Sequence, residues 1–127
     1  MNFAVDTSAY SANARNDERV TKWFDPDNYI YIPIIMLAEL RSGFANGTRQ
    51  QLNDAILTEF LDSAYTEILH ITEMTTHIYA EIFTTLRKIG KPINTNDMWI
   101  AALALENDLP LLTTDADFQN IKSLTLL

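Results

Sequence analysis

The stretch from Asn94 to Leu105, N-T-N-D-M-W-I-A-A-L-A-L, led in by Ile93, constrains the fold more than any other part of the chain. From Met98 to Leu105 every residue is apolar. A helix of that composition is buried on most of its sides, so other elements must cover it. Asn107 and Asp108 mark its end, and Pro110 lies beyond. Asp97 is the exception. It stands where the helix begins, as a cap or a first-turn acid. A carboxylate at the mouth of a buried helix needs a partner or a chemical role.

The rest of the chain supplies the covering layers. Asn2-Phe3-Ala4-Val5 is a short apolar run that ends at Asp6, which predicts a buried parallel strand and then a polar turn. Thr7 or Ser8 can cap the next helix. The segment to Asp25 reads as helical or broken-helical, anchored by Val20, Trp23 and Phe24, and Pro26-Asp27-Asn28 turns the chain. Tyr29 to Ile32 predicts a second strand, and Pro33 can open a helix from Ile34 to Phe44. After Asn46-Gly47, a helix from about Thr48 to Ser63 carries Leu52, Ile56, Leu57, Phe60 and Leu61 at helical spacing. These two helices read as a hairpin with more apolar face than one small sheet covers, and symmetric pairing of two copies would cover it. Thr66 to Ile71 predicts a third strand. Thr72 opens a helix to Lys88 with Ile78, Ile82, Phe83 and Leu86 as its stripe, closed by Gly90 and Pro92. Leu111 to Thr113 predicts a fourth strand, followed by a short helical turn and a last strand from Leu124 to Leu127.

Alternation of this kind predicts an α/β fold, a single domain over residues 1–127 with a central, mostly parallel sheet flanked by helices. Ligands of such sheets bind at the carboxyl ends of the strands. With 127 residues, 47% of them hydrophobic, the chain can fill a full core. No apolar run is long enough to span a bilayer, no signal peptide is recognisable, and there is no cysteine. A cytoplasmic protein is expected. The net charge of −8 argues against a generic basic nucleic-acid surface. It suits divalent cations or a basic partner.

Four acids fall where the sheet would gather them. Asp6 follows the first strand, Glu39 rides one turn into the helix after the second, Asp97 begins the buried helix, and Asp115 follows the fourth strand. No lysine or arginine adjoins Asp6, Asp97 or Asp115. Arg41 lies two positions from Glu39, where helix side chains do not meet. Carboxylates so gathered raise one another's pKa values, and hard oxygen donors suit Mg²⁺ or Mn²⁺. Such ions activate water and stabilise charge developing on a phosphodiester. Each acid also has a plainer reading: Asp6, Asp115 and Asp117 as turn residues, Asp97 as a helix-terminus acid, Glu39 as a side chain reaching to solvent.

The V-D-T-S opening, the A-E-L-R-S-G helix, N-D-x-W-I-A-A-L-A and L-L-T-T-D-A-D-F together resemble the PIN domain. Length and spacing are similar to the VapC-type toxins of toxin–antitoxin pairs, over essentially the whole chain. The resemblance implies a PIN-like three-layer domain. It implies that Asp6, Glu39, Asp97 and Asp115 bind Mg²⁺ or Mn²⁺ and cut single-stranded or loop RNA, leaving a 5′-phosphate and a 3′-hydroxyl. It implies auxiliary positions at Asp117, Asn96, Thr114 and Thr7, a small antitoxin that wraps the toxin, and a dimer made by helices.

Other residues stay open between a structural and a functional reading. Arg87, Lys88 and Lys91 either complement a helix C-terminus or guide phosphates beside the site, and Arg41 is a further candidate RNA contact. Arg15, Arg19 and Lys22 could form another basic edge. His70 and His77 read as structural or surface histidines, Trp99 as core, and Tyr10 as a weak stacking candidate. Two alternatives from other classes remain: a non-catalytic PIN-like binding or scaffold module, and a receiver-type phosphoacceptor. The latter lacks an acceptor aspartate, because Thr66 to Ile71 leads into Thr72-Glu73.

Overall fold

The computed structural model describes residues 1–127. Its strands are β1 (Asn2–Val5), β2 (Tyr29–Pro33), β3 (Thr66–Leu69) and β4 (Leu111–Leu112). Its helices are α1 (Thr7–Ala14), α2 (Glu18–Thr21), α3 (Ile34–Ala45), α4 (Gln50–Leu61), α5 (Glu73–Lys88) and α6 (Thr95–Glu106), with a 3₁₀ helix at Ala116–Asn120. The sheet order is β3-β2-β1-β4 and every strand pairing is parallel. Phe3 lies opposite Ile30, and Ala4 opposite both Tyr31 and Leu111.

Strand alternation divides the interior into two layers. Phe3, Val5, Ile30, Ile32 and Leu112 face one side, where Tyr10, Val20, Met36, Leu40 and Leu57 pack on them. Ala4 and Leu111 face the other, against Ile82, Leu86, Ile100 and Phe118. The α5–α6 pair therefore covers one face and α1 to α4 the other. Helix α3 reaches both sides, because Met36, Leu37 and Leu40 join the first layer while Ile35 packs on the second. Glu39 is one turn from Ile35 and shares its side of the helix.

The buried helix is as its composition dictates. Met98 and every residue from Ile100 to Ala104 are buried. The stop signals act through a left-handed residue: Asp108 has φ 53°, and the amides of Asp108 and Leu109 donate to the carbonyls of Leu105 (3.2 Å) and Ala104 (2.9 Å). That is a Schellman closure.

Several expectations need correction. Asp6 caps α1 in place of Thr7 or Ser8, while the region to Asp25 is broken-helical as expected, in two short helices. The third strand stops at Leu69, and α4 is trimmed to Gln50–Leu61. The expected strand at Leu124–Leu127 reduces to one bridge between Leu111 and Leu126. It is held by Leu111 N–H to Thr125 O (2.8 Å) and Leu127 N–H to Leu111 O (3.0 Å). Two-residue β4 offers too short an edge for a full ladder.

Candidate metal centre

Topology alone gathers the acids. β1 and β4 are neighbours running the same way, so Asp6 and the Thr113–Asp115 turn leave the sheet at the same edge. Helix α3 departs from the carboxyl end of β2, the other neighbour of β1. Helix α6 runs back before β4, so its N-terminal turn, with Asp97, reaches that edge too.

Asp6 is only 2% exposed and is held by a dense set of donors. Its Oδ1 accepts from the Ala9 amide at 2.9 Å, which makes it the N-cap of α1. Thr113 Oγ1 donates to Oδ2 at 2.7 Å, and Ser8 Oγ lies 2.8 and 2.9 Å from the two oxygens. Three donor groups therefore fix the carboxylate, with Ser8 reaching both of its oxygens. Burial pushes the Asp6 pKa up; the donors oppose that, and the charge of Asp115 adds to it.

The same two hydroxyls tie Asp6 to the loop that carries Asp115. Thr113 Oγ1 accepts from the Asp115 amide at 2.9 Å, and Ser8 Oγ accepts from the Thr114 amide at 3.0 Å. Asp115 caps the 3₁₀ helix, accepting from the Asp117 amide at 2.9 Å. Glu39, half-buried on α3, accepts from Thr7 Oγ1 at 2.7 Å.

Asp97 is the third residue of α6 and half-buried. It is not the cap: Asn94 is, with its Oδ1 accepting from the Asn96 amide at 2.8 Å. The Asp97 pKa is pushed up to about 6, first by burial and then by the charges of Asp115, Glu39, Asp6 and Asp117 in that order. The molecule's ion pairs are Arg19–Asp17, Arg41–Asp54 and His77–Glu73, so none of these five acids is neutralised by a cation of the chain.

The donor set fits a hard divalent cation: all oxygen, anionic and uncompensated. No three of the acids close on one point as a finished cage. Mg²⁺ does not require one, because it retains several waters and takes one or two carboxylates together with substrate phosphates.

The remaining candidates fall into place by their contacts. Asp117 is exposed and is the last of the charges acting on Asp97. Thr114 contributes its amide, and Asn96 lies half-buried beside Asp97. Arg87 sits 5.7 Å over the Phe83 ring. With Pro92, Ile93, Thr95 and Met98 these two line a cavity of about 390 Å³ at the first turn of α6. Lys88 and Lys91 are exposed nearby in the chain. Arg41 points to α4, 3.5 Å from Asp54, and Arg19 pairs with Asp17 at 2.6 Å. Trp99 stacks on Tyr79 at 4.2 Å between α6 and α5. Tyr10 is buried against Phe60, which removes it as a stacking surface. His77 pairs with Glu73 on the surface of α5 and His70 is exposed.

Sequence reasoning missed Ser8, Thr113 and Asn94. The signal was a hydroxyl or amide side chain two positions from a key residue: D-x-S at Asp6, T-x-D at Asp115 and N-x-N at Asn96. Such spacings form local side-chain-to-backbone turns.

A parallel α/β sheet with an acid cluster unpaired by any cation of the chain at its carboxyl edge is the arrangement the site presents. Comparison with known proteins narrows the assignment. The PIN domain model matches residues 3–124. Ribonuclease VapC2 of Rickettsia felis is 33% identical over 131 residues, spanning 99% of this chain and 96% of that one. The solved VapBC2 complex of Rickettsia felis, bound to a DNA fragment from its promoter, matches with a TM-score of 0.81 at 28% identity, over 100% of this chain and 98% of that chain. VapBC-1 from nontypeable Haemophilus influenzae matches with a TM-score of 0.83 at 26% identity, over 100% and 97%. The chain belongs to the PIN-domain family, within its VapC branch.

Proposed function

We propose that this chain is a Mg²⁺- or Mn²⁺-dependent endoribonuclease and the toxin of a toxin–antitoxin pair. Several of its relatives are named as VapC ribonucleases, and several of its structural neighbours as VapBC complexes. The observation that carries the site is the gathering of Asp6, Glu39, Asp97 and Asp115 at one sheet edge with no cation of the chain paired to any of them.

Asp6, Glu39, Asp97 and Asp115 would hold the ion or ions, with waters and substrate phosphate completing the coordination. When bound, the metal supplies an activated water and stabilises negative charge on the phosphodiester. Asp6 is fixed in orientation by Ser8, Ala9 and Thr113. Asp97 has no side-chain hydrogen-bond partner and is free to turn to the ion. Asp117, Asn96 and Thr114 are auxiliary. Arg87, which lines the cavity at Phe83, contacts RNA together with the exposed Lys88 and Lys91. Arg41, exposed and paired weakly with Asp54, is a more remote RNA contact.

The antitoxin offers a basic segment to this chain of net charge −8. Two copies pair through the α3–α4 hairpin, where Leu52 (56%) and Ile56 (51%) are exposed. Residues 1–127 act as one domain in the cytoplasm; no helix is long and apolar enough to cross a membrane. A non-catalytic module is disfavoured by the presence of all four acids. The receiver reading fails on family membership and on β3, an edge strand followed by no acceptor aspartate.

The test is cleavage of a single-stranded or loop-containing RNA by purified protein with Mn²⁺ or Mg²⁺. Chelator should stop it. Equal cleavage in excess chelator, with contaminating nuclease excluded, overturns the metal mechanism.

A further inference from the structure

We infer that Thr7 is a positioning residue whose hydroxyl holds the Glu39 carboxylate inside the acid cluster. The forces on Glu39 otherwise point outward. It is half-buried on a long flexible side chain, no cation pairs with it, and its charge acts on Asp97 across the site. A glutamate in that setting turns to water, where its charge is solvated and the repulsion is screened. One contact opposes this: Thr7 Oγ1 donates to Glu39 Oε1 at 2.7 Å, across 32 positions of sequence. A hydrogen bond to an ionised acceptor is about twice as strong as a neutral one.

Thr7 is well placed for that task. It is the first residue of α1, and its hydroxyl is not used as a cap because Asp6 caps the helix. Thr7 follows Asp6 directly, so the hydroxyl ties the second acid to the backbone that carries the first. Asp6-Thr7-Ser8 thereby fixes three parts of the site: Asp6 itself, Glu39 through Thr7, and the loop of Asp115 through Ser8. A β-branched side chain at Thr7 has few rotamers, which favours it over serine in holding the bond.

The functional consequence rests on reading the acids as the metal site; the geometric claim does not. Both are tested with Thr7→Val, which keeps the shape and removes the donor, and Thr7→Ser, which keeps the donor. In a crystal structure of metal-free Thr7→Val the Glu39 carboxylate should be turned to solvent. In Thr7→Ser it should stay in. For Mn²⁺ alone, measured by calorimetry, Thr7→Val should bind at least about tenfold more weakly, the range seen for partners that orient metal ligands. Thr7→Ser should recover most of that loss. On a Glu39→Gln background, Thr7→Val should change Mn²⁺ affinity no further. A Thr7→Val crystal structure with Glu39 still turned inward overturns the inference, as does a Thr7→Val effect that adds in full to Glu39→Gln. If the wild type neither binds Mn²⁺ nor cuts RNA while Glu39 is released in Thr7→Val, the positioning claim stands and the proposed function falls.

Discussion

In the body of α6, Ile100, Ala101, Ala102, Leu103 and Ala104 are fully enclosed, and nothing in their surroundings conflicts with burial. One turn earlier on the same helix, Asp97 meets the charges of Asp115, Glu39, Asp6 and Asp117. The two regions follow opposite rules. In the body, propensity, pattern and packing agree, which is the condition for a stable fold. At the mouth, like charges are held together by hydroxyl donors from Thr7, Ser8 and Thr113. The acidic edge is therefore maintained against its own electrostatics, as functional sites commonly are.

Ile100→Ala removes a wholly buried side chain and should destabilise the protein by about 2–5 kcal/mol, read from urea unfolding. A loss under about 1 kcal/mol would mean that the helix body is not the tightly packed element described. Thr113→Val removes one donor from buried Asp6 and the acceptor of the Asp115 amide. It should cost about 1–3 kcal/mol in the same assay. No measurable loss would show that the donors around Asp6 do not hold the edge together.

The pH dependence sharpens the contrast. The Asp97 pKa in the folded protein is about 6, above its ordinary 3.8. A raised carboxyl pKa stabilises the fold fully below 3.8, and that stability is lost as pH rises through about 6. The buried Asp6 shifts in the same direction. Metal-free protein should therefore lose stability between pH 5 and pH 7.5, by on the order of 1 kcal/mol from Asp97 once its partial exposure is discounted. Chemical denaturation at the two pH values measures it, and a rise in stability over that window would contradict the repulsion. The smallest effect is expected at the surface. Ile56→Glu should change the stability of the isolated subunit by no more than about 0.5 kcal/mol, yet shift sedimentation from dimer to monomer. Wild type that is monomeric at high micromolar concentration would remove the dimer from the account.

How much of this was legible in the sequence differs between the same two regions. The α6 body was fully readable, because eight apolar residues in a row admit few environments. Strands β1 and β2 were readable from short apolar and aromatic runs bounded by turn residues. The fifth strand was not, since Leu124 to Leu127 is apolar enough for a strand but finds only a two-residue partner in β4. At the edge, the acids were legible as positions but not as roles. Asp6 proved to be both a cap and a buried acid, and Asp97 left capping to Asn94. The local half of the hydroxyl scaffold left a signal in D-x-S and T-x-D, but its long-range half was illegible because Thr113 meets Asp6, and Thr7 meets Glu39, across the chain. Local pattern cannot report such pairs.

The central claim is that the acid edge exists to bind a metal and opposes folding without one. Asp97→Asn tests it most directly, because Asn94 supplies the cap and the helix start is left untouched. The measurement is thermal unfolding of wild type and variant in chelator and in Mn²⁺, beside RNA cleavage by both. In chelator the variant should melt at the same temperature or slightly higher, since one like charge is gone. It should gain less from Mn²⁺ than the wild type, and cleavage should fall to background. A variant that cleaves at the wild-type rate, or that shows the same metal-induced stabilisation, would contradict the account and return Asp97 to a helix-terminus acid.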